Sequence, residues 1–213
     1  MKAVWNLGFR PFFLLGALWA CVHMFAWIAF QMGVLELDPH DPVLWHSHEM
    51  IFGFASAIVA GFLLTASQNW TGIRGVHGSK LMILVGLWST ARVLSMVSGS
   101  FPILYAIVDL LFYPSLAWVL KPYPHATFPK AKPNLLCSFS ILTLANVSAH
   151  ATSFGITPLI PSRSLMILSM FAIILMIGLI GGRIIPFFTS NALPIPILSN
   201  TTGFERLSLL ASH

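Results

Sequence analysis

The feature that most constrains this chain is a series of long stretches without a single formal charge. Residues 12–35 and 50–73 contain no Asp, Glu, Lys or Arg, and neither do 133–162 and 164–182. Residues 81–99 are interrupted only by Arg92, and 101–120 only by Asp109. A membrane-crossing helix needs about 20 predominantly apolar residues, so each stretch is long enough to hold one. Over the whole chain there are 11 Lys or Arg and 6 Asp or Glu in 213 residues, or 8% charged. Soluble domains carry about 25%. So little charge does not cover a water-facing surface, and disorder is excluded because it needs low hydrophobicity and high net charge. Two cysteines, Cys21 and Cys137, do not make a disulfide scaffold. Their expected depths in the membrane differ, so they are read as unpaired.

The expected fold is therefore an all-α integral membrane protein, a single transmembrane domain built as a bundle of about six helices. The helices are placed at 12–35, 42–70, 80–99, 102–120, 134–153 and 163–183, with a tail at 184–213 that has the look of a seventh helix beginning. Membrane β-strands alternate apolar and polar residues over about ten positions, and runs such as 171–180 do not alternate. The first span is too long, and too bulky at Trp19 and Phe25, for a cleaved signal peptide. Lysine and arginine gather at Lys2 and Arg10, Arg74 and Lys80, Lys121, Lys130 and Lys132, and Arg183 and Arg206. The opposite loops hold only Arg163, together with Glu36, Asp38 and Asp41. The positive-inside bias then puts both termini in the cytoplasm. The net charge of +5 is a topology signal and not a nucleic-acid patch.

Chemistry concentrates in residues 41–50, Asp-Pro-Val-Leu-Trp-His-Ser-His-Glu-Met. Asp41 before Pro42 reads as an N-cap followed by the first helical residue. At 100° per residue, His46 and Glu49 lie about 60° apart and His46 and His48 about 160° apart. The two histidines thus need partners from other helices, or serve different centres. Glu49, Gly53, Ala57, Gly61 and Thr65 recur every fourth position, a small-residue stripe suited to close helix contact in lipid.

His150 falls about 24 Å along the fifth helix, at the level of His46 and His48, with Asn146 one turn earlier. His23 sits mid-membrane in the first helix, where an ionisable group is a functional candidate by default. His40, His77, His125 and His213 fall in loops or at the end. Neutral imidazole suits haem iron and copper, and it serves equally well as an interhelical hydrogen-bonding group. The candidates for cofactor binding are His46, His48, His150 and His23, and those for a metal ion are His46, His48 and Glu49. Arg92 and Asp109 lie at equal depth and read as a structural ion pair, the alternative being that Arg92 binds an anionic group. No phosphate-binding glycine loop, CxxC, CxxCH or HExxH motif is present. No substrate site is identifiable, so enzymatic turnover stays open, a redox role included.

Several segments resemble the NnrS family of bacterial membrane proteins. They are Gly8-Phe-Arg-Pro-Phe-Phe-Leu14, Trp45-His-Ser-His-Glu-Met-Ile-Phe-Gly-Phe54, Ala60-Gly-Phe-Leu-Leu-Thr65, Asn69-Trp-Thr-Gly72 and Gly182-Arg-Ile-Ile-Pro-Phe-Phe-Thr-Ser-Asn-Ala-Leu193. They run in family order. The resemblance implies a polytopic protein of denitrification and the nitric oxide response, containing haem and copper. It places His46, His48 and Glu49 in the signature segment and Arg10 and Arg183 in two arginine-bearing motifs. His150 matches a histidine near the end of the family's fifth helix. Family members usually have twice this length, so a cofactor site shared between halves would be completed here by a homo-oligomer or by a second-half partner. Two alternatives stand beside this: a permease with a polar path through Glu49, Arg92 and Asp109, and a non-catalytic remnant.

Overall fold

The computed structural model describes residues 3–35, 41–97, 99–121 and 132–192, apart from the side chains at 70, 132–135, 179, 183–184, 186–188 and 190–192. The His40 and His125 positions, most of the proline-rich connector at 121–133 and the tail beyond 192 lie outside the described residues. The described secondary structure is helical throughout. The helices are α1 (Phe9–Gln31), α2 (Pro42–His48), α3 (Ser56–Thr71), α4 (Ser79–Met96), α5 (Pro102–Leu110), α6 (Phe112–Leu120), α7 (Lys132–Ser153) and α8 (Ser162–Ala192). A π-helical segment, Glu49–Ala55, joins α2 to α3. The chain divides into two compact units, Met1–Ile174 and Leu175–His213. All side chains discussed below belong to the first; in the second, α8 continues as helix to Ala192.

Among the described residues, four stretches are long and apolar enough to cross a membrane: Phe9–Gln31, Pro42–Asn69, Pro102–Leu120 and Ser162–Gly182. Helices α4 and α7 form as well, but their sequences are more polar. Lys80 and Arg92 interrupt α4, while α7 carries Ser138, Asn146, Ser148 and His150 on buried positions. Polar side chains are buried among an apolar core while large apolar side chains cover the exterior. His23, Glu49 and Ser169 are fully buried. Leu14, Phe25, Ile83, Val93, Ile103, Trp118 and Ile167 are exposed. Such an exterior suits lipid, where an apolar surface carries no hydration cost and an unpaired polar group is expensive.

Local chemistry explains the element ends. The Asp41 carboxylate accepts the Leu44 N–H at 3.0 Å, and Pro42 opens α2. Arg163, at the start of α8, donates to the other Asp41 oxygen at 2.9 Å from Nη2. Partial burial raises the Asp41 carboxyl, but the Leu44 N–H and the Arg163 guanidinium outweigh it and hold the group below its ordinary value. The fourth span divides into α5 and α6 because Pro114 has no N–H to give Leu110 and its ring crowds that carbonyl. Helix α3 ends at Gly72, whose φ of 68° is left-handed.

The small-residue stripe packs against α1. A Cβ on Gly61 would stand 2.9 Å from Phe12 Cβ, and one on Gly16 would stand 2.9 Å from Ala57 Cβ. Thr65 Oγ1 accepts the Phe9 N–H at 3.0 Å. Backbones this close require residues without side-chain bulk. The arginine of the first motif, Arg10, donates to the Ala3 carbonyl at 2.6 Å. The side chain of Arg183 lies outside the described residues. Cys21 and Cys137 are both exposed and free.

Candidate metal centre and a second histidine pair

The π-helical segment begins directly after His48, so the histidine-bearing turn and the small-residue stripe are no longer in α-helical phase. Wide turns of this kind leave backbone carbonyls without their usual partners and recur at functional sites. Here side chains take up that slack. Trp88 donates to the Gly53 carbonyl at 3.1 Å, and Ser56 donates to the Ile51 carbonyl at 2.8 Å. Ser56 is also hydrogen-bonded to Tyr113.

His48 and Glu49 leave this turn into the interior, where α4, α5 and α7 meet them. Arg92 donates to Glu49 Oε2 at 2.8 Å from Nη1 and to Asp109 Oδ1 from Nη2. Tyr105 donates to Glu49 Oε1 at 2.9 Å. The Nδ1 atom of His48 lies 3.1 Å from Glu49 Oε1. Its Nε2 lies 2.9 Å from Asn146 Oδ1 and 3.2 Å from Asp109 Oδ2. His150 Nε2 lies 3.2 Å from the same Asp109 oxygen. One ligand atom each from His48, Asp109 and His150 falls within 4.8 Å of the others, and all three residues are buried. Two carboxylates against one guanidinium leave one negative charge in the cluster. A proton on His48 or a cation held between the rings neutralises it.

The second pair is separate. His23 Nε2 and His46 Nδ1 are 3.0 Å apart. Their planes differ by 14° and their centroids are 5.1 Å apart. The centroid separation exceeds the nitrogen separation by nearly two ring radii, so the rings meet head to head with their facing nitrogens on one line. Trp27 stacks on His46 at 4.4 Å, Trp45 lies 4.5 Å from His23, and Trp19 lies 6.0 Å from it. His23 is fully buried, and its Nδ1 has no hydrogen-bond partner.

The structure thus divides the candidate residues. His46 meets His23 and stays apart from His48 and Glu49, the residues that share its sequence segment. His48 meets His150, and Asp109 stands between them. Glu49, Arg92 and Asp109 close on one another. Tyr105 and the tryptophans around His23 were not singled out from sequence as site residues. The signal was there: Tyr105 is four residues before Asp109, and Trp19, His23 and Trp27 are spaced by four, which puts each set on one helix face.

Fold and site together define a helical membrane protein with a buried histidine–carboxylate cluster held by arginine. A sequence model of the family described as NnrS protein matches residues 3–212, and the chain belongs to that family. Membership supports a membrane protein related to the nitric oxide response. No curated protein and no solved structure matches the chain.

Proposed function

We propose that this chain is a six-span bacterial inner-membrane protein with both termini in the cytoplasm, and that it holds a copper ion for the nitric oxide response or denitrification. The observation that carries this reading is the convergence of His48 Nε2, Asp109 Oδ2 and His150 Nε2. Two imidazoles and a carboxylate suit a first-row transition ion. The supporting partners match what ligands of such an ion require. Glu49 accepts from Nδ1 of His48, which leaves Nε2 as the nitrogen that would bind an ion once it gives up its proton. Arg92 holds Asp109 Oδ1 and turns Oδ2 toward the histidines. Tyr105 fixes Glu49 in turn. Binding requires His48 Nε2 to give up Asn146, so Asn146 would gate the site. Bound copper would supply one-electron redox chemistry.

Haem, the other cofactor implied by the resemblance, does not fit between His48 and His150. Axial imidazoles stand on opposite faces of the iron with the macrocycle between them, and here that space holds the Asp109 carboxylate bonded to both rings. A haem would need the unshared histidines or a second copy.

The test is metal analysis and electron paramagnetic resonance of the purified protein, beside a reduced-minus-oxidised optical spectrum. Wild type is expected to bind one Cu(II) with nitrogen hyperfine structure. His48→Ala, His150→Ala and Asp109→Asn are each expected to lose it, by about 10- to 100-fold in affinity or more. Equal copper content in all four proteins would overturn the assignment.

A further inference from the structure

We propose that His23 and His46 form a second, independent site for a monovalent d10 cation such as Cu(I), held linearly between two imidazoles inside a tryptophan box. Geometry supplies the first argument. The facing nitrogens, 3.0 Å apart in nearly coplanar rings, already point along one axis. An ion about 2.0 Å from each nitrogen, the usual imidazole–metal distance, needs that gap widened by about 1 Å. His46 is only half-buried, so it has room to swing.

Freedom of the His23 ring proton supplies the second argument. Nδ1 of this fully buried ring has no hydrogen-bond partner, so no neighbouring acceptor or donor opposes the tautomer that frees Nε2 for an ion.

The choice of ion follows from charge. Neither ring is hydrogen-bonded to a carboxylate among the described residues, in contrast to the ring of His48. With no carboxylate in the ligand set, a divalent ion would place two charges on neutral donors, a monovalent ion only one. Trp27 and Trp45 offer π faces that attract a cation, and the attraction grows when water is excluded. The two centres thus sort cations by charge, the carboxylate-bearing one taking the divalent ion.

Silver(I), which is redox-silent, is the probe. In a background with Cys21 and Cys137, both exposed and free, replaced by Ser, the full chain in detergent is titrated with Ag(I) while tryptophan emission is followed, and the bound ion is examined by X-ray absorption. Wild type is expected to take one Ag(I) with a two-nitrogen shell and quenched emission. His46→Gln is expected to weaken uptake at least tenfold and abolish the quench, with its Cu(II) signal equal to that of wild type. Trp27→Leu should keep the two-nitrogen shell and bind several-fold more weakly. Equal uptake and quenching in wild type and His46→Gln overturns the proposal, as does a shell containing sulfur or oxygen. The copper centre stands or falls separately, because its readout is the Cu(II) signal and its variants are at His48, Asp109 and His150.

Discussion

Arg92 is the single side chain on which the interior depends most. It lies on α4, is almost fully buried, and pairs with two carboxylates that come from different elements. Removing one partner of a buried ionic group leaves the others uncompensated, at a cost of about 3–5 kcal/mol. Arg92→Met is therefore expected to lower the thermal midpoint of the detergent-solubilised protein sharply, by that order of free energy, as followed by tryptophan emission. Arg92→Lys should recover only part of it. A single ammonium does not reproduce the planar fork that reaches Glu49 and Asp109 at once. If Arg92→Met melted with the wild type, the charge accounting given for the cluster would be wrong. At this scale the sequence was informative about which residues are polar and at what depth. Arg92 and Asp109 were legible as partners because each is the lone charge in an otherwise uncharged stretch, 81–99 and 101–120. The part of Glu49 in that pair was not, since no local spacing relates residue 49 to residue 92.

At the scale of the element, the π-helical segment is the device that sets the site. It turns one continuous apolar stretch, residues 42–69, into two helices whose faces are out of register. One consequence is the close approach at Gly53, where a Cβ would run into the Trp19 indole and come within 3.2 Å of Glu49 Oε2. Overpacking of this kind costs about 1–3 kcal/mol. Gly53→Ala is expected to lower stability by that amount and, because Trp19 neighbours His23, to alter Ag(I) quenching while the Cu(II) signal persists. Unchanged stability and quenching would show that α1 yields at no cost. A uniform 100° step per residue separates His46 from His48 correctly within α2, but carries no information about where a wide turn falls. The same limit applies to α8. The apolar pattern stops at Arg183, whereas the helix continues to Ala192, because a backbone ladder is indifferent to where the charges fall.

At the scale of the whole molecule, four apolar stretches of spanning length occur among the described residues, and α4 and α7 carry buried polar side chains. The proposed six-span arrangement makes a topological prediction. In a protein with Cys21 and Cys137 replaced by Ser, a cysteine at Ile156 should react with an impermeant thiol reagent applied to spheroplasts. A cysteine at His77 should react only after lysis. The reverse pattern would invert the orientation drawn from the Lys/Arg bias.

Composition and the charge-free stretches by themselves determined that this chain is helical and enters a bilayer, because in lipid only closed hydrogen-bonding patterns survive. Rise per residue put His150 at the level of His48. It also put His23 mid-membrane, away from His46, and the structure corrects this by bringing His23 Nε2 to 3.0 Å from His46 Nδ1. Only the tertiary structure decided which ring meets which. His46 and His48 are two residues apart yet face different neighbours, and His48 and His150 are distant in sequence yet share one carboxylate oxygen. Rotation about a helix axis and the position of a wide turn are settled by packing between elements, and one-dimensional spacing does not encode it.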